Sequence, residues 1–409
     1  MHRCLPDTRH PFHLAAVSLL AAALLALAAP PAAPAASLEE LSQRLDALAA
    51  ELEARRAPAR PRVTVGGYGE AHYNNFDGTR DDGSEAGAED LLDLHRFVLF
   101  FGYRFSDTLS FRSEVEIEHA LASHEEEDPG EVEMEQAYVE WAADPHAGLR
   151  GGLLLVPAGI LNETHEPPTF FGVERNRVET RIIPTTWREL GVQLFGEILL
   201  GLRYQVGLHS GLELPPGADA RGGLRGTRQG AAEATAERLA ASLALRAKPV
   251  RGLSAGLSLF YQGDLTQGAG GDLSALLSEA HARYRLGPLE ARALYARWDL
   301  DGAEDFLAET GGQVATTQQG WYLEAACHLA RWLPGGQDLA PFVRHERLDT
   351  NHSLPDGVAR DPGFDERVTT VGLNYWPVPQ VVLKADVQDF HDGAGTGLDR
   401  WNLGIGWWF

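Results

Sequence analysis

The chain ends Asp399-Arg400-Trp401-Asn402-Leu403-Gly404-Ile405-Gly406-Trp407-Trp408-Phe409. Trp401, Leu403, Ile405, Trp407 and Phe409 alternate with Asn402, Gly404 and Gly406, so an extended strand has one greasy face and one small or polar face. An inner strand of a soluble sandwich shares that pattern but seldom finishes on aromatics beside a free carboxylate. Rings that settle at headgroup level, with aliphatic residues behind them, suit a membrane interface.

Bulk composition decides little. The 35 basic and 58 acidic residues give a net charge of −23, with 44 Gly and 2 Cys in 409 residues, totals that a soluble acidic enzyme shares. The first 36 residues decide more: Arg3 and Arg9 precede an apolar run from Leu14 to Ala29, and Ala33-Pro34-Ala35 offers small residues for cleavage. We read 1–36 as a secretory signal; the run falls short of the roughly 20 residues a spanning helix needs. Its removal takes Cys4 and leaves Cys327 as the single thiol, which excludes a disulfide within the mature chain. No later run approaches a spanning helix, so an exported integral membrane chain must cross by strands closed into a barrel.

Leu38, Leu41, Leu45, Leu48 and Leu52 follow a three-four heptad spacing, which predicts a short oligomerising coiled coil over 37–57. The Pro-rich 58–62 segment ends it as a linker. From Val63 to Phe409 the period is two, and sixteen candidate strands run from 63–75 to 399–409. Tight turns alternate with long polar connections at 76–91, 122–129, 157–186, 211–235, 264–273, 300–317, 350–365 and 391–398. That sorting predicts an all-β fold, a sixteen-stranded antiparallel transmembrane β-barrel with short periplasmic turns and long extracellular loops.

The third long connection, 157–186, carries Ile160, Leu161, Phe170, Phe171, Ile182 and Ile183, which need burial. Folding inward would bury them and make this loop the constriction, with Arg175, Arg177 and Arg181 as its charges; an outward cap is the alternative. On the wet face of the strands the alternation places Arg96, Arg112, Glu114, Glu116, Arg238, Arg246, Arg344, Lys384 and Asp386. These are the candidate pore-lining residues, although an Arg beside a Glu is often a neutralised wall pair.

Four stretches, Leu-Asp-Leu-His-Arg-Phe-Val-Leu-Phe at 92–100, Phe-Arg-Ser-Glu-Val-Glu-Ile-Glu-His at 111–119, Gln-Ala-Tyr-Val-Glu-Trp at 136–141 and Pro-Phe-Val-Arg-His-Glu-Arg-Leu-Asp at 341–349, together resemble the phosphate-selective porin O/P family. The resemblance covers about 63–409. It implies a homotrimeric sixteen-stranded porin, often with an N-terminal coiled coil, in the Gram-negative outer membrane among lipid and lipopolysaccharide. It also implies phosphate preference through inward arginines and constriction lysines. Here the chain departs, with only Lys248 and Lys384 and with Glu114, Glu116, Glu118, Glu140, Glu279, Glu324 and Glu346 on the wet face. The last strand is similar to the closing strand of bacterial outer-membrane barrels, which implies that Trp407 and Phe409 are read by the barrel-assembly machinery.

Gly252-Leu253-Ser254-Ala255-Gly256 matches the nucleophile-elbow pattern, but Leu257, Leu259 and Tyr261 continue a strand where that motif needs a helix. There is no basic tract for nucleic acid, and no catalytic residue, cofactor or metal is assigned. The expected function is a water-filled outer-membrane channel for passive diffusion of small hydrophilic solutes and ions, with wall arginines biasing passage towards small anions. A lipase-type barrel enzyme and a plugged structural or adhesion barrel are the alternatives.

Overall fold

A computed structural model describes residues 42–48, 62–120 and 130–409. Helix α1 occupies 42–48, with Leu45 and Leu48 exposed. The expected signal segment, the remaining heptad leucines Leu38, Leu41 and Leu52, and the linker up to Pro61 lie outside the described residues.

Sixteen strands follow: β1 (Val63–Phe76), β2 (Leu91–Arg104), β3 (Leu109–Glu118), β4 (Val132–Asp144), β5 (Ala147–Leu155), β6 (Arg188–Leu199), β7 (Leu202–His209) and β8 (Ala240–Ala247). The second half comprises β9 (Leu253–Gln262), β10 (Ser274–Leu286), β11 (Leu289–Asp301), β12 (Thr317–Cys327), β13 (Asp338–Ser353), β14 (Asp365–Val378), β15 (Val381–Asp392) and β16 (Arg400–Trp408). A short helix, α2 (Ala303–Thr310), stands between β11 and β12. Each strand pairs antiparallel with its sequence neighbours, and β1 closes on β16. No helix among the described residues is long and apolar enough to cross a membrane.

Period-two patterning sets the register. On β11 the burial alternates, with Glu290, Arg292, Leu294, Ala296, Trp298 and Leu300 turned inward and Leu289 and Tyr295 outward. A one-residue slip would turn Glu290 and Arg292 towards lipid, a cost that pins the pairing. The tail described above is β16. Its Asn402 is fully buried inside while Trp401, Leu403 and Ile405 are exposed outside.

Phe409 continues the seam beyond the last ladder residue. Its N–H donates to the Gly67 carbonyl at 2.9 Å, its carbonyl accepts from Gly67 N–H at 3.1 Å, and its ring stacks on Phe97. Deleting Phe409 removes both bonds and the ring. The expected result is a several-fold loss of assembled, heat-modifiable protein on gels, with unchanged ion preference in the channels that do form. An unchanged yield would remove this residue from assembly.

Inside the wall of β8–β13 lies an apolar cluster that the loops complete. Val178, Ile182, Ile183 and Trp187 of the β5–β6 connection and Leu212, Leu214 and Leu224 of the β7–β8 connection pack on Phe260, Leu277, Leu294 and Trp298. Trp187 and Phe260 lie 4.4 Å apart, ring to ring.

Candidate functional site in the barrel lumen

The β5–β6 connection, residues 156–187, lies among inward-facing side chains and is bonded to the wall around its circumference. On one side Arg246 of β8 donates to the Pro157 and Gly159 carbonyls, Gln205 of β7 to Glu163, and Gly159 N–H to Glu279 of β10. Across the lumen Gly172 N–H donates to Asn374 of β14, Val173 N–H to Asp386 of β15, and Asn74 of β1 to Glu174. Arg292 of β11 and Arg344 of β13 donate to the Thr169 and Phe171 carbonyls. An irregular segment has no ladder of its own, so its buried backbone groups must find such partners. Small residues allow the approach: a Cβ on Gly406 would meet Pro167, and one on Gly404 would meet Val173.

Within this loop Glu179 is fully buried and accepts from Ile160 N–H, Leu161 N–H, the Asn176 amide and the Tyr322 hydroxyl. Burial nevertheless raises its pKa above the ordinary carboxylate range. His165 reaches the opposite wall, with Nε2 at 3.3 Å from Glu135 and 3.5 Å from Glu114. Burial disfavours its charge, but Glu135 and Glu114 outweigh that and raise the imidazole to about 10.

Of the residues singled out in the sequence, Arg96, Glu114, Glu116, Arg344, Lys384 and Asp386 face inward and lie beneath the loop, each at most 6% exposed. Arg96 is paired with Glu70 and Glu116, Arg344 with Glu324 and Glu346, and the Lys384 ammonium sits 3.5 Å over the Phe170 ring. Arg246 holds the loop. Arg112 stays open beside Glu140, and Arg238 is exposed just before β8. Arg177 is neutralised by Glu366 at 2.7 Å.

Arg175 and Arg181 remain, and the structure adds Arg225 and Arg228 from the β7–β8 connection. Among the described residues Arg175 hydrogen-bonds to the His165 carbonyl alone, and its Nε is buried without a partner there. Arg181 reaches the Gly222 carbonyl; Arg228 reaches the Pro184 and Thr186 carbonyls. The Arg225 guanidinium has no partner among the described residues. Burial, with Arg228 and Arg175 nearby, pulls Arg225 down to about 9; burial with Arg177 lowers Arg181, and burial with Arg188 lowers Arg228. Like charges are held together here, with Glu116, Glu118, Glu131, Glu133, Glu189 and Glu366 among the acids in the neighbourhood. The spacing of Arg221, Arg225 and Arg228 in a Gly-rich loop was the available sequence signal.

A lipase-type site needs a Ser, a His and a carboxylate. Among the described residues the buried Ser–His pair is His209 Nε2 with Ser242 Oγ at 2.8 Å, and His209 Nδ1 has no partner there to orient it. Ser254 of the elbow-like sequence lies within β9, which continues straight through it.

No family model matches the chain. An uncharacterized protein of Aquifex aeolicus (strain VF5) is 34% identical over 360 residues, covering 85% of this chain and 80% of that one. The two belong to one family. Solved barrels add the fold to that family relationship. OmpT of Vibrio cholerae in its trimer form is 10% identical with a TM-score of 0.54, over 85% of this chain and 99% of that one. Salmonella typhi OmpF, in complex with daunomycin, is 11% identical with a TM-score of 0.55, over 85% and 97%. An anion-selective porin from Comamonas acidovorans is 14% identical with a TM-score of 0.52, over 85% and 99%. The family member described here therefore has the fold of outer-membrane porins.

Proposed function

We propose that the protein is an outer-membrane channel for passive diffusion of small hydrophilic solutes, that it prefers anions, and that it works as a homotrimer. The observation that carries the anion preference is the group Arg175, Arg181, Arg225 and Arg228, whose guanidinium groups, among the described residues, make no ion pair with a carboxylate and hydrogen-bond to backbone carbonyls or to nothing. Forked donors with unfilled valences bind oxyanions, and mutual repulsion within the group is relieved when an anion enters. Phosphate is the anion suggested by the resemblance to the phosphate-selective porins, and the anion-selective Comamonas barrel supports the wider class.

Trimer assembly is supported by the outer face of β10–β14. His345 and Thr369 are bonded to each other on the membrane-facing side, beside a groove of about 480 Å³ floored by Ala282, Ala291, Ala293 and Ala325. Polar groups facing lipid at mid-depth are costly, and a second copy of the chain would cover them. The trimer form of the Vibrio barrel, which shares the fold, supports that reading.

Planar-bilayer recording in a salt gradient tests the reading. The parent is expected to show a reversal potential on the anion side, and Arg225→Glu with Arg228→Glu to move it several-fold towards cations. A cation-side potential in the parent would overturn the anion preference. A barrel closed by its own loop is the second reading, favoured by the near-complete burial of Arg96, Arg344 and Lys384; it expects no conductance steps.

A further inference from the structure

We propose that Glu114, Glu135 and His165 form a binding site for a divalent first-row transition ion that clamps the third loop to the β3–β4 wall. The site is independent of which solutes the channel passes. Nε2 of His165, one oxygen of Glu114 and one oxygen of Glu135 lie within 4.8 Å of one another, and all three side chains are buried. The distances from Nε2 to the two oxygens are 3.5 and 3.3 Å. Metal–ligand bonds of about 2.0–2.2 Å in a tetrahedral arrangement require edges of roughly 3.4 Å, so both edges from Nε2 already have the length that a bound ion needs.

The ring is prepared for this. Nδ1–H of His165 donates to the Asn162 carbonyl, which leaves the Nε2 lone pair directed at the carboxylates. Gln136 donates to the second oxygen of Glu114 and orients it. Oε1 of Glu135 and the Tyr68 hydroxyl are buried without hydrogen-bond partners among the described residues, and the Tyr68 ring is set edge-on to His165.

Charge points the same way. Glu70, Glu114, Glu116 and Glu135 are each at most 3% exposed, and Arg96 answers Glu70 and Glu116. Glu114 and Glu135 are left facing one imidazole. A dication with two carboxylates and neutral imidazole is electrically balanced, and this hard and borderline donor set suits Mn, Fe, Co or Zn rather than a thiophilic ion. Its competitor is a proton on His165. The other candidate group, Asp93, His95 and His119, is less suited, because Arg96 donates to Nε2 of His95 and keeps the proton of that ring on Nδ1.

The test is metal binding by the whole folded protein after chelator dialysis, using Zn²⁺ by calorimetry and elemental analysis and Co²⁺ by visible absorption. The parent is expected to bind one Zn²⁺ that His165→Ala and Glu135→Gln do not, with affinity falling by more than the roughly 10–100-fold that loss of a supporting group costs. Zn²⁺ should raise the melting temperature of the parent alone, and Co²⁺ in the parent should give a low-coordinate spectrum even if a variant fails to fold. Parent and folded variants binding the same number of ions, or no Co²⁺ spectrum in the parent, overturns the site and leaves a protonated His165 as the bridge.

Discussion

Replacing Arg344 with methionine is expected to destabilise the folded barrel by about 3–5 kcal/mol and to loosen the third loop. Nε of Arg344 lies 3.0 Å from Glu346 and Nη1 lies 3.3 Å from Glu324, while the same guanidinium donates to the Phe171 and Glu174 carbonyls. Methionine fills the stem but supplies no charge. Glu324 keeps Arg292 at 3.5 Å, whereas Glu346 has no other ion-pair partner among the described residues. A buried carboxylate without its cation is the costly outcome; replacing all the partners with neutral groups costs far less. The denaturant midpoint in detergent should therefore fall in the single variant and recover largely in Arg344→Met with Glu324→Gln and Glu346→Gln. Bilayer currents of the single variant should flicker or rise. Parent-like stability and conductance would mean that Arg344 is not an anchor of the loop.

Trp298→Ala should cost a similar amount by a different route, about 3–5 kcal/mol for removal of a large ring from a packed site. The indole is fully buried between Trp187 and Phe260, with both centroids 6.0 Å away, and its Nε1–H donates to the Ile182 carbonyl at 2.7 Å. Trp298→Phe separates the two contributions, since it restores most of the volume and leaves the carbonyl without a donor, at about 1–3 kcal/mol. Thermal loss of the heat-modifiable form reads both. If Trp298→Ala melts within about 1 kcal/mol of the parent, the loop cluster is not a packed core.

The strands were legible because lipid outside and polar groups inside impose a period of two on every one of them. The sequence reading expects sixteen strands from 63–75 to 399–409, and the sixteen strands lie between Val63 and Trp408. The lumen was harder. That Arg344 meets Glu324 on the neighbouring strand depends on register across the barrel, which pattern alone does not fix. Glu135 shows a sharper failure. Tyr138 and Glu140 face inward, so simple alternation turns Glu135 outward; an irregularity opposite Glu114 and Val115 inserts one residue and turns it in. His165 carried no spacing signal, because its partners lie on β3 and β4. The loop arginines Arg225 and Arg228 were visible as residues, but their approach to Arg175 arises only when two loops share one cavity.

The seam between the first and last strands governs how this chain can be made. Asn74 donates to Asn402, 328 positions away, and Asn402 donates to Asp386, all within the closed wall. Neither edge can be satisfied until the final strand has been delivered, so closure pays the largest loop entropy of any pairing in the molecule. The third loop shares that seam, because Asn74 also holds Glu174 and Gly404 touches Val173. Threading the loop and zipping the cylinder are thus a single event. An assembly intermediate with an open edge should also have its loop outside, accessible to protease, until the last strand arrives.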